Sequence, residues 1–311
     1  MKILCYGSNG WIGAQMKTLL EQRGHVVIQG VQRLDDFNNL CAEIDATKPD
    51  YVFSSIGRTH GTHSDGRVFT TIDYLELPGN LDLNVRDNLI GPLNLARACA
   101  ARNLVCGYMG TGCIFEYDET HAPPSIETKD NPIDCSGLLG FTEEDIPNFK
   151  GSGYSIVKGW TDQQMHLFRG TVCNWRIRMP ISAQDNSRDF ITKICNYGRV
   201  AKVCSVANSM TVLSEMLPIM IHMIEQRITG TWNMCNPGLI THNQILEMYK
   251  QLIDPHFSYQ NFSVEEQAKI LKAGRSNNFL DTSLLENYCS EYNLQLTNIY
   301  EAVQKTLQNR K

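Results

Sequence analysis

Length, composition and charge limit what this chain can be. Its 311 residues are 42% hydrophobic and 20% charged, which is ordinary for a globular protein with room for two lobes around a cleft. With 28 basic and 33 acidic residues the formal net charge is -5, which excludes a broad basic field for nucleic acid or an anionic membrane.

The cysteines and the N-terminus indicate a reducing compartment. The 11 cysteines include no CxxC pair, whereas metal sites prefer such pairs together with histidine. The residues after Met1 lack the charged, apolar and cleavage regions of a secretory signal, and the longest apolar stretch, residues 216–224, is too short to span a bilayer. We therefore expect a cytoplasmic protein with free thiols, no bound metal and no membrane contact.

The first half of the chain alternates between strand and helix patterns. Short apolar runs predict strands, and apolar residues at helical spacing predict helices. The predicted strands are residues 3–6, 26–28, 51–54, 104–109 and 172–179, and the helices between them are residues 12–20, 37–44, 85–100 and 154–168. Pro92 predicts a kink in the third helix. This alternation predicts an α/β fold, a Rossmann-type doubly wound parallel sheet with helices on both faces.

The second half is less regular. Residues 211–224 predict a helix and residues 230–234 a short strand. Thr241 with Gln244, and Ser263 with Glu266, fit capping boxes that open two further helices. No change of composition marks a boundary, so we expect a smaller α/β lobe interwoven with the first.

A glycine-rich loop joins the first predicted strand to the first predicted helix. Glycines let the backbone turn sharply and approach a pyrophosphate, and the helix N-terminus adds unpaired N–H groups. The loop therefore predicts a dinucleotide site at Gly7, Asn9, Gly10, Trp11, Ile12 and Gly13.

The end of the second predicted strand indicates which dinucleotide binds. An acidic residue there would bind the ribose hydroxyls and repel a 2′-phosphate. Residues 29–33, QGVQR, hold no acid, and Arg33 can pair with a 2′-phosphate. We expect NADP(H), and NAD(H) stays open because Arg33 also fits a solvated surface arginine.

Tyr154 and Lys158 are four residues apart, so both point to one face of a helix. Free tyrosine has a pKa of roughly 10, and a nearby ammonium lowers it, which suits proton exchange at a reacting carbonyl oxygen. Thr111 follows a predicted strand at the edge where such folds bind ligands, and its hydroxyl can hold the same oxygen. We expect these three residues to be catalytic, with Lys158 also binding the cofactor.

Longer strings resemble one family. They are GTGCIFEYD at 110–118, FTEED at 141–145, RIRMPIS at 176–182, DFITKI at 189–194, NSMT at 208–211, NPG at 236–238, EMY at 247–249 and RSNN at 275–278. With the glycine loop and the Tyr–Lys pair, the chain resembles the extended short-chain dehydrogenase/reductases and, among them, the nucleotide-rhamnose synthase epimerase/reductases. The likeness covers nearly the whole chain and is weakest at residues 61–79 and from residue 288 on.

The resemblance implies 3,5-epimerisation and 4-reduction of UDP-4-keto-6-deoxy-D-glucose to UDP-L-rhamnose with NADPH. Carbons 3 and 5 flank the carbonyl at carbon 4, so their protons are acidic, and the Tyr154/Lys158 pair can stabilise the enolate. Cys113 and Lys193 match the family's epimerisation pair. Epimerisation comes first, because reduction destroys the carbonyl.

The resemblance also implies substrate contacts and domain roles. The expected substrate contacts are Asn88, Phe190, Met210, Thr211 and Arg275. Arg275 suits the pyrophosphate, and Asn88 also suits a water relay to Lys158. We expect residues 1–171 and 200–229 to form the NADP-binding Rossmann domain, and residues 172–199 and 230–311 the substrate-binding lobe.

Two other interpretations stay open. A dTDP-4-dehydrorhamnose-type reductase without epimerase activity would not need Cys113 and Lys193, and a non-catalytic NADP-binding regulatory subunit would not need Thr111, Tyr154 and Lys158. The choice between UDP and dTDP is also open, with UDP favoured. We further expect a homodimer, and a separate 4,6-dehydratase that supplies the keto-sugar, because no second motif set is present.

Overall fold

Parallel strands and their connecting helices account for most of the first part of the chain. The computed structural model describes residues 1–125, 132–196 and 201–310. Its elements up to residue 177 are β1 (Lys2–Tyr6), α1 (Trp11–Gln22), β2 (Val26–Gln29), α2 (Phe37–Thr47), β3 (Tyr51–Ser54), β4 (Gly61–Thr62), β5 (Val68–Phe69), α3 (Leu81–Val85), α4 (Gly91–Ala100), β6 (Cys106–Thr111), α5 (Gly153–Met165) and β7 (Val172–Ile177).

Helices dominate the remainder. The elements are α6 (Phe190–Cys195), β8 (Ala201–Val203), α7 (Leu213–Glu225), β9 (Gly230–Asn233), α8 (His242–Leu252), β10 (Tyr259–Asn261), α9 (Val264–Ile270), α10 (Ser283–Glu291) and α11 (Ile299–Gln308). Both predicted capping boxes are present: Thr241 with Gln244 opens α8, and Ser263 with Glu266 opens α9. Within the described ranges, no helix is long and apolar enough to cross a bilayer.

A six-stranded sheet organises the fold. Its strand order is β2-β1-β3-β6-β7-β9, and β1 pairs in parallel with β2 and β3, as β3 does with β6. Parallel neighbours need crossover connections, which the intervening helices supply. The predicted Rossmann-type parallel sheet with flanking helices is confirmed.

The chain divides into two compact units, each with its own core. The first unit comprises Met1–Ile114, Lys150–Arg176 and Leu217–Trp232, and the second comprises Phe115–Phe149, Ile177–Met216 and Asn233–Lys311. The first packs the sheet against α2 and α4, whereas the second packs α6, α8 and α11 together. These ranges differ from the predicted domains, since 115–149 and 201–216 belong to the second unit and 172–176 and 230–232 to the first. The predicted boundary at 199 and 200 lies outside the described residues.

The predicted helix at residues 85–100 contains a widened turn instead of a kink at Pro92. A π-helical turn, Arg86–Ile90, joins α3 to α4, and Pro92 lies in the first turn of α4. Proline has no N–H to donate to the carbonyl of Asn88, four residues earlier. The irregularity therefore falls before the proline, where backbone bonding is interrupted, and it surrounds Asn88.

Candidate active site

The loop between β1 and α1 makes a tight turn. Gly7 has a φ of 81°, where L side chains are rarely found, and a Cβ on Gly13 would lie 2.1 Å from the Gly7 carbonyl oxygen. The Gly10 N–H donates to that same oxygen at 2.9 Å, and Gly10 is the N-cap of α1. The backbone thus passes directly into the helix N-terminus, where first-turn N–H groups lack helical partners.

The side chains of this loop fit an anionic ligand. Ser8 Oγ and Trp11 Nε1 are buried without a hydrogen-bond partner among the described residues, and Asn9 is exposed beside them. Buried polar atoms in native proteins are normally paired, so these two suit a ligand that can accept hydrogen bonds. The glycine turn and these side chains fit the pyrophosphate of a dinucleotide.

Arg33 belongs to a group of three arginines around one carboxylate. Asp87 accepts hydrogen bonds from Arg58 Nε at 2.5 Å, from Arg86 Nε at 2.9 Å and from Arg33 at 3.2 Å. Arg33 also pairs with Asp35 at 2.8 Å while most of its side chain remains exposed. Burial raises the pKa of Asp87, but hydrogen bonds from Arg86 and Arg58 outweigh it and hold the pKa below its usual value. Three guanidinium groups against two carboxylates leave an excess positive charge here.

Tyr154 and Lys158 lie one turn apart on α5, as predicted. The helix begins at a local cap, in which the Ser152 hydroxyl accepts from the Ser155 N–H at 3.1 Å. Tyr154 and Lys158 are both buried, with 9% and 4% of their surfaces exposed. Burial lowers the pKa of Lys158 to about 8, although Asp162 opposes the shift. The lysine therefore remains largely charged at neutral pH.

The pKa of Tyr154 differs from the prediction. Burial raises the pKa well above its usual value, and a hydrogen bond with the Thr111 side chain only partly offsets this. The prediction relied on the Lys158 ammonium to lower this pKa, but Lys158 donates its hydrogen bond to Tyr108. Tyr154 therefore stays protonated, which suits a proton donor.

Thr111 and Cys113 complete this cluster at the end of β6. The Thr111 hydroxyl accepts from the Cys113 N–H at 3.1 Å and hydrogen-bonds with Tyr154. Cys113 is half-buried, and its thiol is close enough to raise the pKa of both Tyr154 and Lys158. The first unit therefore brings Thr111, Cys113, Tyr154 and Lys158 together.

Tyr108 was missed by the sequence reasoning. It lies on β6 and belongs to no recognisable motif. Because every residue of that strand is buried, the sequence pattern indicates only a residue of the hydrophobic core. Lys158 Nζ donates to its hydroxyl and lies 4.6 Å from the ring centroid. The only sequence signal was a tyrosine inside a central strand, whose hydroxyl needs a buried partner.

Asn88 is fully buried within the first unit. Its side-chain Nδ2 donates to the Arg58 carbonyl at 2.9 Å and to Asn84 Oδ1 at 2.8 Å, while its Oδ1 accepts from the Arg58 N–H at 2.8 Å. Its backbone carbonyl accepts from the Thr161 hydroxyl at 2.5 Å. Asn88 thus holds the segment after β3 in place, and the structure gives its side chain protein partners.

The second unit brings Lys193 and Arg275 together. Asp189 caps α6, which carries Phe190 and Lys193. Burial lowers the pKa of Lys193, the charges of Arg188 and Arg275 lower it further, and Asp189 opposes the shift. Phe190 packs its ring 4.9 Å from that of His242. A partly buried amine among arginines suits both proton exchange and the binding of a phosphate group.

Met210 and Thr211 are fully buried in the second unit. The Thr211 hydroxyl donates to the Met234 carbonyl at 2.7 Å and accepts from the Arg178 N–H at 2.9 Å. Met210 belongs to the apolar core of this unit. Both residues therefore stabilise the core of the second unit.

Comparison with known proteins identifies close relatives over the whole chain. It is 43% identical to the bifunctional dTDP-4-dehydrorhamnose 3,5-epimerase/dTDP-4-dehydrorhamnose reductase of Arabidopsis thaliana, covering 91% of this chain and 86% of that protein. It is 43% identical to the trifunctional UDP-glucose 4,6-dehydratase/UDP-4-keto-6-deoxy-D-glucose 3,5-epimerase/UDP-4-keto-L-rhamnose-reductase RHM2 of the same plant, covering 92% of this chain but only 39% of the longer relative. No protein-family model matches the chain.

A solved structure supports the same relationship. The UDP-rhamnose synthase from Acanthamoeba polyphaga mimivirus superposes with a TM-score of 0.88, at 44% identity and with 99% of both chains covered. The likeness thus extends through both compact units, well beyond the glycine loop and the Tyr154/Lys158 pair. The chain belongs to the nucleotide-rhamnose synthase epimerase/reductase family of extended short-chain dehydrogenase/reductases.

Proposed function

We propose that this protein converts UDP-4-keto-6-deoxy-D-glucose into UDP-L-rhamnose by 3,5-epimerisation and NADPH-dependent 4-reduction. The observation that carries the proposal is the cluster of Thr111, Cys113, Tyr154 and Lys158 in the first unit. A reductase needs the hydroxyls and the lysine but has no use for the thiol. Epimerisation at the carbons that flank the carbonyl does need a group that exchanges protons, such as that thiol.

The polar residues of the cluster act on the oxygen at carbon 4. The Thr111 and Tyr154 hydroxyls hold this oxygen, and their hydrogen bonds strengthen as it becomes negative in either the enolate or the alkoxide. When NADPH is bound, it supplies the hydride that reduces carbon 4. Tyr154, kept protonated by burial, gives its proton to the alkoxide oxygen, and the hydrogen bond with Thr111 stabilises the tyrosinate that remains. The Lys158 ammonium, one turn along the helix, adds a positive charge to the same cluster.

Epimerisation requires proton exchange on both faces of the sugar ring. The family resemblance assigns this work to Cys113 and Lys193. The lowered pKa of Lys193 supports its assignment, because it makes the neutral amine accessible nearer to neutral pH than in an ordinary lysine. Once both centres are inverted, reduction removes the carbonyl and makes the outcome permanent.

The cofactor and substrate contacts extend the proposal. The cofactor pyrophosphate would be held by the glycine-rich loop, at Gly7, Asn9, Gly10, Trp11, Ile12 and Gly13. Arg33 would hold the 2′-phosphate, and Lys158 would hold the nicotinamide ribose. The excess positive charge around Asp87 supports NADPH over NADH. Arg275 and Phe190 contact the nucleotide sugar, and Met210 and Thr211 support those contacts from buried positions in the same unit. Asn88 acts within the first unit, where its side chain holds the segment after β3.

Three features of the biological setting are also proposed from the family resemblance. The protein acts in the cytoplasm, it forms a homodimer, and a separate 4,6-dehydratase supplies its keto-sugar. Size-exclusion chromatography with light scattering tests the dimer directly, and a monomer would contradict it.

Product analysis tests the proposed function. The purified protein is incubated with UDP- or dTDP-4-keto-6-deoxyglucose and with NADPH or NADH, and the products are separated and identified by NMR. We expect UDP-L-rhamnose, formed fastest with NADPH. A product with unchanged stereochemistry at carbons 3 and 5 would identify a reductase without epimerase activity. Absence of NADPH oxidation with both sugars would favour a regulatory subunit.

A further inference from the structure

A buried tyrosine hydroxyl supports Lys158 from the sheet. Tyr108 lies on β6 with 2% of its surface exposed, among the apolar residues that join β6 to α4 and α5. Its hydroxyl accepts a hydrogen bond from Lys158 Nζ. Burial raises the pKa of Tyr108 well above its usual value, so the hydroxyl stays neutral and can accept from an ammonium.

Asn88, for which the sequence suggested a water relay to Lys158, has its backbone carbonyl bonded to another side chain. Pro92 has no N–H to offer this carbonyl, and the Thr161 hydroxyl donates to it at 2.5 Å. Thr161 follows Lys158 by three residues on α5, so the same helix supplies both side chains. Lys158 itself is bonded within the first unit to the Tyr108 side chain on β6.

The charged groups around Lys158 have partners of their own, which makes the hydrogen bond from Lys158 to Tyr108 important for holding the ammonium. Asp162, one turn further along α5, is held by Arg176 Nη2 at 2.6 Å and by Asn174 at 2.8 Å. Cys113 also raises the pKa of Lys158, and it raises that of Tyr154 on the same helix as the lysine. Asp162 is bonded to Arg176 and Asn174, and within the part of the chain that the structure describes the Tyr108 oxygen is the acceptor bonded to the ammonium.

We propose that Tyr108 is a positioning residue for the Tyr154/Lys158 pair, whose buried hydroxyl fixes the Lys158 amine against β6 and stabilises its charged form. The proposal rests on the proposed role of this pair in reduction. A side-chain hydroxyl differs from a mobile water because it is already held in place, so no entropy is lost in ordering it when the substrate binds.

The test compares two tyrosine-to-phenylalanine variants. Tyr108→Phe removes the acceptor while keeping the ring. Tyr51→Phe is the matched control, because Tyr51 is fully buried on the adjacent strand β3 and its hydroxyl has no hydrogen-bond partner among the described residues. For each protein, kcat of ketone reduction and the Kd of NADPH, from its fluorescence, are measured from about pH 6 to about pH 10. Thermal unfolding checks the fold.

The expected result is a shift of the basic limb of the kcat profile. Loss of the acceptor disfavours the ammonium, so the Lys158 pKa falls further below its usual value. The charged form is then lost at lower pH. The limb should move down by about one pH unit or more, and kcat near pH 8 should fall roughly tenfold. The variant should approach wild-type activity near about pH 6, while Tyr51→Phe keeps the wild-type limb.

Two outcomes would overturn the proposal. One is a Tyr108→Phe limb at the wild-type position, at whatever level of activity; the other is an equal shift in Tyr51→Phe, which would indicate a general effect on the core. If the wild type reduces neither keto-sugar, the proposed function fails. The pH dependence of the Kd of NADPH then tests the role of Tyr108 independently of catalysis. A basic limb that lies at lower pH in Tyr108→Phe than in the wild type supports the role, and a limb at the wild-type position contradicts it.

Discussion

The two lysines assigned to the chemistry lie in opposite electrostatic surroundings. Burial lowers the pKa of both, to about 8 for Lys158, where Asp162 opposes the shift. Around Lys193, Arg188 and Arg275 instead lower the pKa further. Burial is thus the main cause of both shifts, and the two lysines differ in the charges beside them: a carboxylate opposes the shift at Lys158, whereas two guanidinium groups reinforce it at Lys193.

The acidic neighbour of Lys193 does not reverse this contrast. Asp189 accepts from Arg310 at 2.8 Å, from the Ser182 N–H at 2.8 Å and from the Thr192 N–H at 2.9 Å. Asp189 opposes the shift of the Lys193 pKa, but burial and the charge of Arg188 outweigh it. The comparison teaches that burial sets the direction of both pKa shifts and that the neighbouring charges either oppose or reinforce it.

Tyr154→Phe should produce the largest effect and tests the cationic side of the comparison. Without the hydroxyl, the alkoxide has no proton donor, and kcat of ketone reduction should fall by roughly 10²–10⁴-fold. NADPH affinity should stay close to wild type, since Lys158 is untouched. Steady-state NADPH oxidation with the keto-sugar measures the change, and undiminished reduction would refute the role of Tyr154.

Cys113→Ala tests the proton-exchanging side. Solvent deuterium uptake at carbons 3 and 5 should fall by roughly a hundredfold or more at one or both positions, because a ring face loses its proton-exchanging group. Reduction of ketone that is already epimerised should continue. NMR of sugar incubated in D₂O measures the exchange, and Cys41→Ala, a half-buried cysteine on α2, is the control. Exchange at the wild-type rate would exclude Cys113.

Arg33→Ser extends the electrostatic argument to the cationic group around Asp87. Removing one guanidinium should raise KM for NADPH by roughly tenfold to a hundredfold and leave KM for NADH nearly unchanged, because only NADPH carries the 2′-phosphate. Arg102→Ser, which breaks an exposed pair with Asp45, is the control. An equal change for both cofactors would show that Arg33 does not recognise the phosphate.

Arg188→Gln should give the smallest effect and probes the comparison most finely. The Arg188 charge lowers the pKa of Lys193, so its removal should raise that pKa. The limb of the deuterium-exchange profile that reports Lys193 should then move to higher pH, by roughly half a unit to one unit. Exchange rates measured over a pH series give the midpoint. A limb that stays fixed or moves to lower pH would contradict the assigned surroundings.

Local sequence predicted the features that depend on few neighbouring residues. The glycine loop and the Tyr154/Lys158 spacing each lie within one short segment, so the pattern alone places them on the correct elements. The contact between Tyr108 and Lys158 joins residues 50 positions apart, and the group around Asp87 joins three segments. Such contacts depend on strand order and packing, which no local pattern records. The pKa of Tyr154 was misjudged for the same reason, because burial is a property of the fold.

Deuterium labelling during complete turnover tests the central claim most directly, namely that one held ketone serves both epimerisation and reduction. The wild-type protein is incubated in D₂O with UDP-4-keto-6-deoxy-D-glucose and unlabelled NADPH, and the product is analysed by NMR and mass spectrometry. We expect UDP-L-rhamnose with deuterium at carbons 3 and 5 and hydrogen at carbon 4. A reduced sugar that retains the original configuration and carries no deuterium would contradict the account.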